Sequence, residues 1–398
     1  HKWEPYKLYL TLFLNNTTVV ICLISLMNIS IFQIKMQKRT DMLTAPVEIN
    51  GNIPKKYIKQ KRDIYFVILD AYARADVLHD IYNYDNSDFI GFLKSMGFYV
   101  AANSYSNYSQ TLLSLSSSLN MKYINSFANE VGGFAERNNR KIAYGMIKNN
   151  LIVRILRSYG YDYVHFCSAW GGATSDNKFA DIEIQHKKSF FKDEFLGIMA
   201  TTTMLKLFEF RIFTDLAQVH MHTFDVLKTI PEIEAPTFTL AHIVLPHEPY
   251  IFDQYGNIRT NPTLINQFWA EKIKNKAEAY IQQLIYLNHQ MKDVLNQIIR
   301  KSDIPPIILL QSDHGTWELP EKNDESKRIE ERMANLNALF LPDGGGQLIY
   351  DTITPVNNFR LVLNYYFNEE IKLLEDRLYY SKSKTPFKFE DVTHFLKN

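Results

Sequence analysis

The hydrophobic pattern divides the chain into two regimes. From Leu8 to Ile34 no residue is charged, and Val19 to Phe32 is strongly apolar. An uncharged run of that length crosses a bilayer with some tilt, so residues 1–34 are predicted to form a transmembrane helix. Asn15, Asn16 and Asn28 interrupt the run. Asparagine is tolerated in a span where other helices pack against it, which fits the last span of a larger membrane region. A basic, polar linker over 35–62 follows. Beyond it, short apolar runs alternate with helical spacing. "DIYFVIL" (63–69), "FYVAA" (98–102), "YDYVHF" (161–166), "PTFTLAHIVL" (236–245), "PPIILLQ" (305–311) and "NALFLP" (337–342) read as strands. "SDFIGFLKSMG" (87–97), "MIKNNLIVRILRSYG", the stretch from roughly 275 to 301 and "PVNNFRLVLNYYF" (355–367) read as helices.

Strands alternating with helices predict an α/β domain over 63–398, with a mainly parallel central sheet and helices on both faces. The segment 176–232 is rich in Met and Phe without catalytic-looking residues, and is expected to be a helical packing insertion. A hydrophobic content of 46% supports a large buried core, and a net charge of +1 gives no electrostatic reason to expect a nucleic-acid partner. The two cysteines, Cys22 and Cys167, exclude a disulfide scaffold and a cysteine-rich zinc site.

In an open α/β sheet, ligand-binding residues collect beyond the carboxyl ends of the strands. The first strand ends in "LDAYAR", offering Asp70 and Arg74; "IILLQSDHG" ends in Asp313 and His314; "TLAHIVL" runs into "PHEPY" with His247. Singly, each reads equally well as a cap or turn residue. Together, two carboxylates and an imidazole at strand ends make a three-ligand set for one divalent cation, zinc first, with manganese, magnesium or calcium as alternatives.

The uncharged tract "SNYSQTLLSLSSSLN" (106–120) changes from hydroxyl-rich loop to leucines at near-helical spacing. A hydroxyl at that junction has helix N–H groups around it, which favour an anionic phosphate or sulfate. Ser109 and Thr111 are the two candidates for a cation-activated nucleophile, whereas Ser114, Ser116, Ser117 and Ser118 read as small packing residues.

An Asp at the end of the first strand, a Thr at a helix start, a histidine in "PHEPY" and then "SDHG" resemble the sulfatase-like branch of the alkaline phosphatase superfamily. Within that branch "TLLSLSSSL" looks like the nucleophile helix of membrane-anchored phosphoethanolamine and phosphoglycerol transferases, of the lipoteichoic acid synthase kind. The resemblance covers about residues 60–345. It implies that Thr111 is nucleophile and metal ligand, that Asp70, Asp313 and His314 complete the site, and that His247 contacts the substrate's anionic oxygens or leaving group. Arg74, Asn107 and Ser109 are the expected substrate-holding residues. It further implies a phospho-threonine intermediate, a membrane lipid donor, a cell-surface glycan acceptor and a catalytic domain outside the cytoplasmic membrane. Three departures narrow this. Neither Pro nor Arg follows Thr111 in the sulfatase C/S-x-P-x-R arrangement, Ala71 stands where a second aspartate is common, and the second histidine set of two-metal phosphatases is not evident. One metal is therefore expected, and formylglycine chemistry is not. The lysines and arginines after residue 34 oppose the predicted orientation, because positive loops favour the cytoplasm. A hydrolase of the same fold acting on sulfuric or phosphoric esters is the alternative, and a non-catalytic anchored scaffold a further one.

Overall fold

The computed structural model describes residues 4–43, 60–126, 140–168, 172–186, 209–259, 276–317 and 324–397. Most of the basic linker and positions 187–208 of the expected insertion lie outside these described residues. The chain divides into two units, His1–Val47 and Glu48–Asn398.

The first unit is one helix, α1 (Glu4–Leu43). Its segment Tyr9–Ile31 has a mean hydropathy of 1.9 and is long and apolar enough to cross a membrane. The hydroxyls of Thr11, Thr17, Thr18 and Ser30 donate to the carbonyl one turn back, at 2.8–2.9 Å. That internal bonding is what an apolar solvent demands of a polar side chain.

The second unit is built on a seven-stranded sheet in the order β2-β7-β6-β1-β5-β3-β4. Its strands are β1 (Ile64–Leu69), β2 (Tyr99–Val100), β3 (Asp162–Phe166), β4 (Ile182–Ile184), β5 (Thr237–Ile243), β6 (Ile307–Gln311) and β7 (Asn337–Phe340). β1 pairs in parallel with β5 and β6, and β3 in parallel with β5 and β4. Only β7, antiparallel to both β6 and β2, breaks the parallel run. β4 lies within the stretch expected to be helical; Val164 pairs with Ile182 and Phe166 with Ile184, so the sheet is extended by an edge strand there.

β1 is buried along its whole length, as a strand covered on both faces must be. Tyr65, Val67 and Leu69 point into one apolar cluster, which takes in residues from α2 (Ala75–Tyr82), α3 (Ser87–Ser95) and two long helices described below. Ile64, Phe66 and Ile68 point into the other, together with residues of α4 (Thr111–Asn120), α5 (Lys141–Lys148) and α6 (Leu151–Ser158). α5 and α6 replace the single helix expected from "MIKNNLIVRILRSYG". Asn150 adopts an extended backbone and its side chain accepts from Val153 N at 2.9 Å, so it caps a new helix. α7 (Glu209–Leu227), α8 (Lys276–Lys301) and α9 (Glu325–Met333) pack on the first face, and α10 (Pro355–Phe367) on the second. A C-terminal ribbon of β8 (Tyr379–Tyr380) and β9 (Glu390–Asp391) carries no signal in the apolar pattern.

Candidate metal and nucleophile site

The centre of the sheet places three strand ends side by side. Ile68 is level with His242 of β5 and with Gln311 of β6, so the residues just past β1 and β6 flank one another. This is the crevice position at which open α/β sheets bind ligands. Asp70 leaves β1 there, its N–H donating to Ile243 O at 3.0 Å. The next residue, Ala71, turns through the left-handed region with φ of 61°. An alanine in that region costs about 1–2 kcal/mol, and here two contacts hold it. Its N–H donates to Asp313 Oδ1 at 3.2 Å, and its carbonyl accepts from Tyr280 OH at 2.9 Å.

Asp70, Asp313 and His314 are all buried, and each offers a ligand atom within 4.8 Å of the other two. His314 Nδ1 faces Gly315 O at 2.8 Å. A carbonyl only accepts, so Nδ1 carries the proton and Nε2 holds a lone pair. That nitrogen lies 3.1 Å from Asp313 Oδ2, 3.9 Å from Asp70 Oδ1 and 3.1 Å from Thr111 Oγ1. Burial, and then the Arg332 guanidinium, push the His314 pKa well below the ordinary histidine value, which keeps the ring neutral. Burial and the neighbouring Asp70 raise Asp313 to about 6. Burial opposes ionisation of Asp70 too, but His247 and then His242 hold its pKa below the carboxylate norm. Asp70 Oδ1 and Asp313 Oδ2 have no hydrogen-bond partner although both are buried. Two carboxylates and an imidazole lone pair turned toward one another in a buried space repel unless a cation lies between them. The donor set therefore fits a divalent metal. Among the described residues it is the one cluster of three such side chains.

Thr111 is the first residue of α4, after the extended Gln110. The loop before it is held by the C-terminal ribbon and α10. Ser109 Oγ pairs with both the carbonyl and the N–H of Ser381 at 2.9 Å. Asn107 donates to Arg377 O at 3.0 Å and accepts from Val356 N at 2.8 Å. Arg74 forks onto Asp76 at 2.7 Å, reaches Ser104 O at 3.0 Å and lies over the Tyr105 ring. The bonds of all three expected substrate-holding residues thus run to the protein itself, where they shape the loop before Thr111.

His247 N donates to Asp70 O at 3.2 Å. Its Nδ1 pairs with Glu248 O, and its ring meets Trp317 edge-on at 4.6 Å. The loop lies between two cis peptides, Leu245–Pro246 and Glu248–Pro249. One buried side chain of α8 holds it: Gln283 accepts from Ile251 N and Phe252 N and donates to the carbonyls of Pro246, His247 and Pro249.

Two side chains near the centre carry no clear signal in the sequence. His242 Nε2 lies 3.3 Å from Asp70 Oδ2, while its Nδ1 pairs with Thr174 Oγ1 at 2.8 Å. A histidine inside the apolar "TLAHIVL" was the available signal. Arg332 reaches His314 Nε2 at 3.1 Å and stacks on Trp317 at 4.0 Å. It sits in "ESKRIEERM", whose charges read as a solvated helix face. Gly315 explains its approach. A Cβ there would meet Glu331 O at 2.1 Å and Ala334 O at 2.6 Å, so only glycine lets α9 dock against the "SDHG" turn.

No protein-family model and no curated protein matches the chain by sequence. Solved structures match it in fold. The C-terminal periplasmic domain of EcEptC from Escherichia coli, in complex with Zn, superposes with a TM-score of 0.54 at 12% identity, covering 86% of this chain and 94% of that one. The integral membrane lipooligosaccharide phosphoethanolamine transferase A (EptA) from Neisseria meningitidis superposes with a TM-score of 0.51 at 11% identity, covering 85% of this chain and 61% of that one. This chain therefore shares the fold of these structures, an alkaline phosphatase-like arrangement of a mainly parallel sheet with helices around it.

Proposed function

We propose that the chain is a membrane-anchored, metal-dependent transferase that moves a phospho-group through a phospho-threonine on Thr111. The observation that carries this reading is the meeting of a helix-start hydroxyl with a buried Asp-Asp-His group: Thr111 Oγ1 stands 3.1 Å from His314 Nε2. Asp70, Asp313, His314 and Thr111 would hold the cation, which lowers the pKa of a bound hydroxyl and stabilises developing phosphoryl charge. Zinc suits this mixed oxygen and nitrogen set, and the similar E. coli domain was solved with zinc.

In the first step Thr111, its hydroxyl proton already lost to solvent, forms the Oγ–P bond as the bond from phosphorus to the donor's alcohol oxygen breaks. His247 protonates that leaving oxygen; with Nδ1 engaged by Glu248 O, Nε2 is the nitrogen that exchanges the proton. In the second step an acceptor hydroxyl gives its proton to His247, bonds to phosphorus and releases Thr111. The α4 N-terminus faces the phosphoryl oxygens and favours their charge. On this reading the donor is a lipid with a phosphoethanolamine or phosphoglycerol head group, the acceptor is a glycan and the domain is extracytoplasmic; the apolar Tyr9–Ile31 helix and the likeness to an integral membrane phosphoethanolamine transferase support it. By the same reading residues 1–34 are the anchor and 63–398 the catalytic domain.

Incubation with a phosphodiester donor and no acceptor, followed by peptide mass spectrometry, tests the assignment. A phospho-adduct is expected on Thr111, absent in Thr111→Ala and retained in Ser109→Ala. An adduct on Ser109, or normal turnover by Thr111→Ala, would overturn it.

A further inference from the structure

We propose that Arg332 binds the non-bridging oxygens of the phosphoryl group at Thr111, an assignment that rests on the phospho-transfer reading above. Two carboxylates balance one divalent cation, which leaves no net positive charge for an anionic phosphoryl group. Sites that use two metals take that charge from the second ion. Here the Asp70, Asp313 and His314 group is the one such cluster among the described residues, and the cationic side chain beside it is Arg332.

The guanidinium is fixed rather than trailing. Nε donates to Ser109 O at 2.6 Å, in the loop two residues before the nucleophile. Its plane stacks on Trp317 at 4.0 Å, and Arg332 O accepts from Gly315 N at 2.8 Å. These contacts orient the fork, and Nη2 points at His314 Nε2, 3.1 Å away. Thr111 Oγ1 is 3.1 Å from the same nitrogen, so hydroxyl and guanidinium meet at one atom. An Nε2 lone pair engaged by a cation no longer accepts, and the Nη2 hydrogen is then released to an oxygen on Thr111. Arginine suits the task because its planar donors match phosphate geometry, and lysine would supply charge without the fork.

The test uses the full chain in detergent, loaded with zinc and titrated calorimetrically with inorganic phosphate, with zinc content and melting temperature measured for each variant. Wild type is expected to bind phosphate. Arg332→Ala should weaken binding about 10- to 100-fold, the scale of a lost charge-assisted hydrogen bond, with zinc content unchanged. Arg332→Lys should fall between the two and carries the test if the alanine variant does not fold. Thr111→Ala should still bind phosphate in an Arg332-dependent way. Binding within twofold of wild type in both Arg332 variants, or no phosphate binding by zinc-loaded wild type, overturns the assignment. If phosphate binding depends on Arg332 while no adduct forms on Thr111, the transfer mechanism fails and the anion site stands. If the adduct forms and both Arg332 variants bind phosphate like wild type, the reverse holds.

Discussion

Gly315→Ala is the substitution whose consequence the geometry specifies most tightly. The added methyl would stand 2.1 Å from Glu331 O, 2.6 Å from Ala334 O and 3.2 Å from Glu331 C. Ordinary contacts of this kind begin near 3.4 Å, so backbone on one side must retreat by roughly 1 Å. Neither side can move without cost. The "SDHG" turn carries Asp313 and His314, and the facing chain carries Arg332 and the Ala334 carbonyl that accepts from Arg74 N at 3.3 Å. Forcing backbone apart in a packed core costs about 1–3 kcal/mol, and the lost Gly315 N to Arg332 O bond adds about 1 kcal/mol. A destabilisation of about 2–4 kcal/mol is therefore expected, and a displacement of about 1 Å at reacting groups lowers turnover about 100-fold. Chemical denaturation and a donor-turnover assay read the two effects. Gly91→Ala is the control, because nothing lies within 4 Å of its Cβ position. It sits inside α3, where alanine should stabilise by about 0.5–1 kcal/mol. If Gly315→Ala matches wild type within about 1 kcal/mol and keeps normal turnover, the close approach of α9 does not hold the site together.

Asp313→Asn should lose bound zinc by elemental analysis while keeping the Ala71 N–H bond, and metal-free Asp313→Asn should melt no lower than metal-free wild type because a buried charge repulsion is gone. Stoichiometric zinc in the variant would sink the ligand assignment. Gln283→Leu leaves two N–H groups and three carbonyls of the His247 loop without their partner, so amide exchange over 246–252 should rise and turnover should fall; unchanged protection there would refute the clamp. Burial pulls His165 down to about 4 from 6.5. Its unfolded form binds the proton first as pH falls, so its stabilising share is present above about 6.5 and declines toward about 4. Between about pH 7.5 and about pH 5 that share amounts to about 2 kcal/mol. His165→Leu should shrink the wild-type loss of stability over that interval by this amount, and an unchanged difference would show that His165 does not titrate as described.

What could be read along the chain was whatever local pattern determines. Strand cores of branched and aromatic residues announced β1, β5 and β6, because a strand buried on both faces is mostly apolar. Their polar exits pointed to Asp70, Asp313 and His314, since strand ends are where a buried sheet meets its ligand space. The helix start at Thr111 was legible from the switch between hydroxyl-rich loop and leucine spacing, which coincides with the first residue of α4. Partnership between distant residues was not legible. Nothing in "ESKRIEERM" distinguishes Arg332 from a solvated charge; the glycine at 315 and the docking of α9 bring it onto His314. Gln283 looks like any polar residue of a long helix until five backbone groups of another loop converge on it. Ser109, Asn107 and Arg74 were adjacent to the site motifs in sequence, yet the C-terminal ribbon, α10 and the Tyr105 loop engage their side chains. Neighbouring position along the chain governs which element forms and where it ends, because backbone propensity and apolar period are local. Which polar groups meet in a buried space depends on strand order and helix docking across more than two hundred residues, where each donor takes the acceptor that packing leaves within reach.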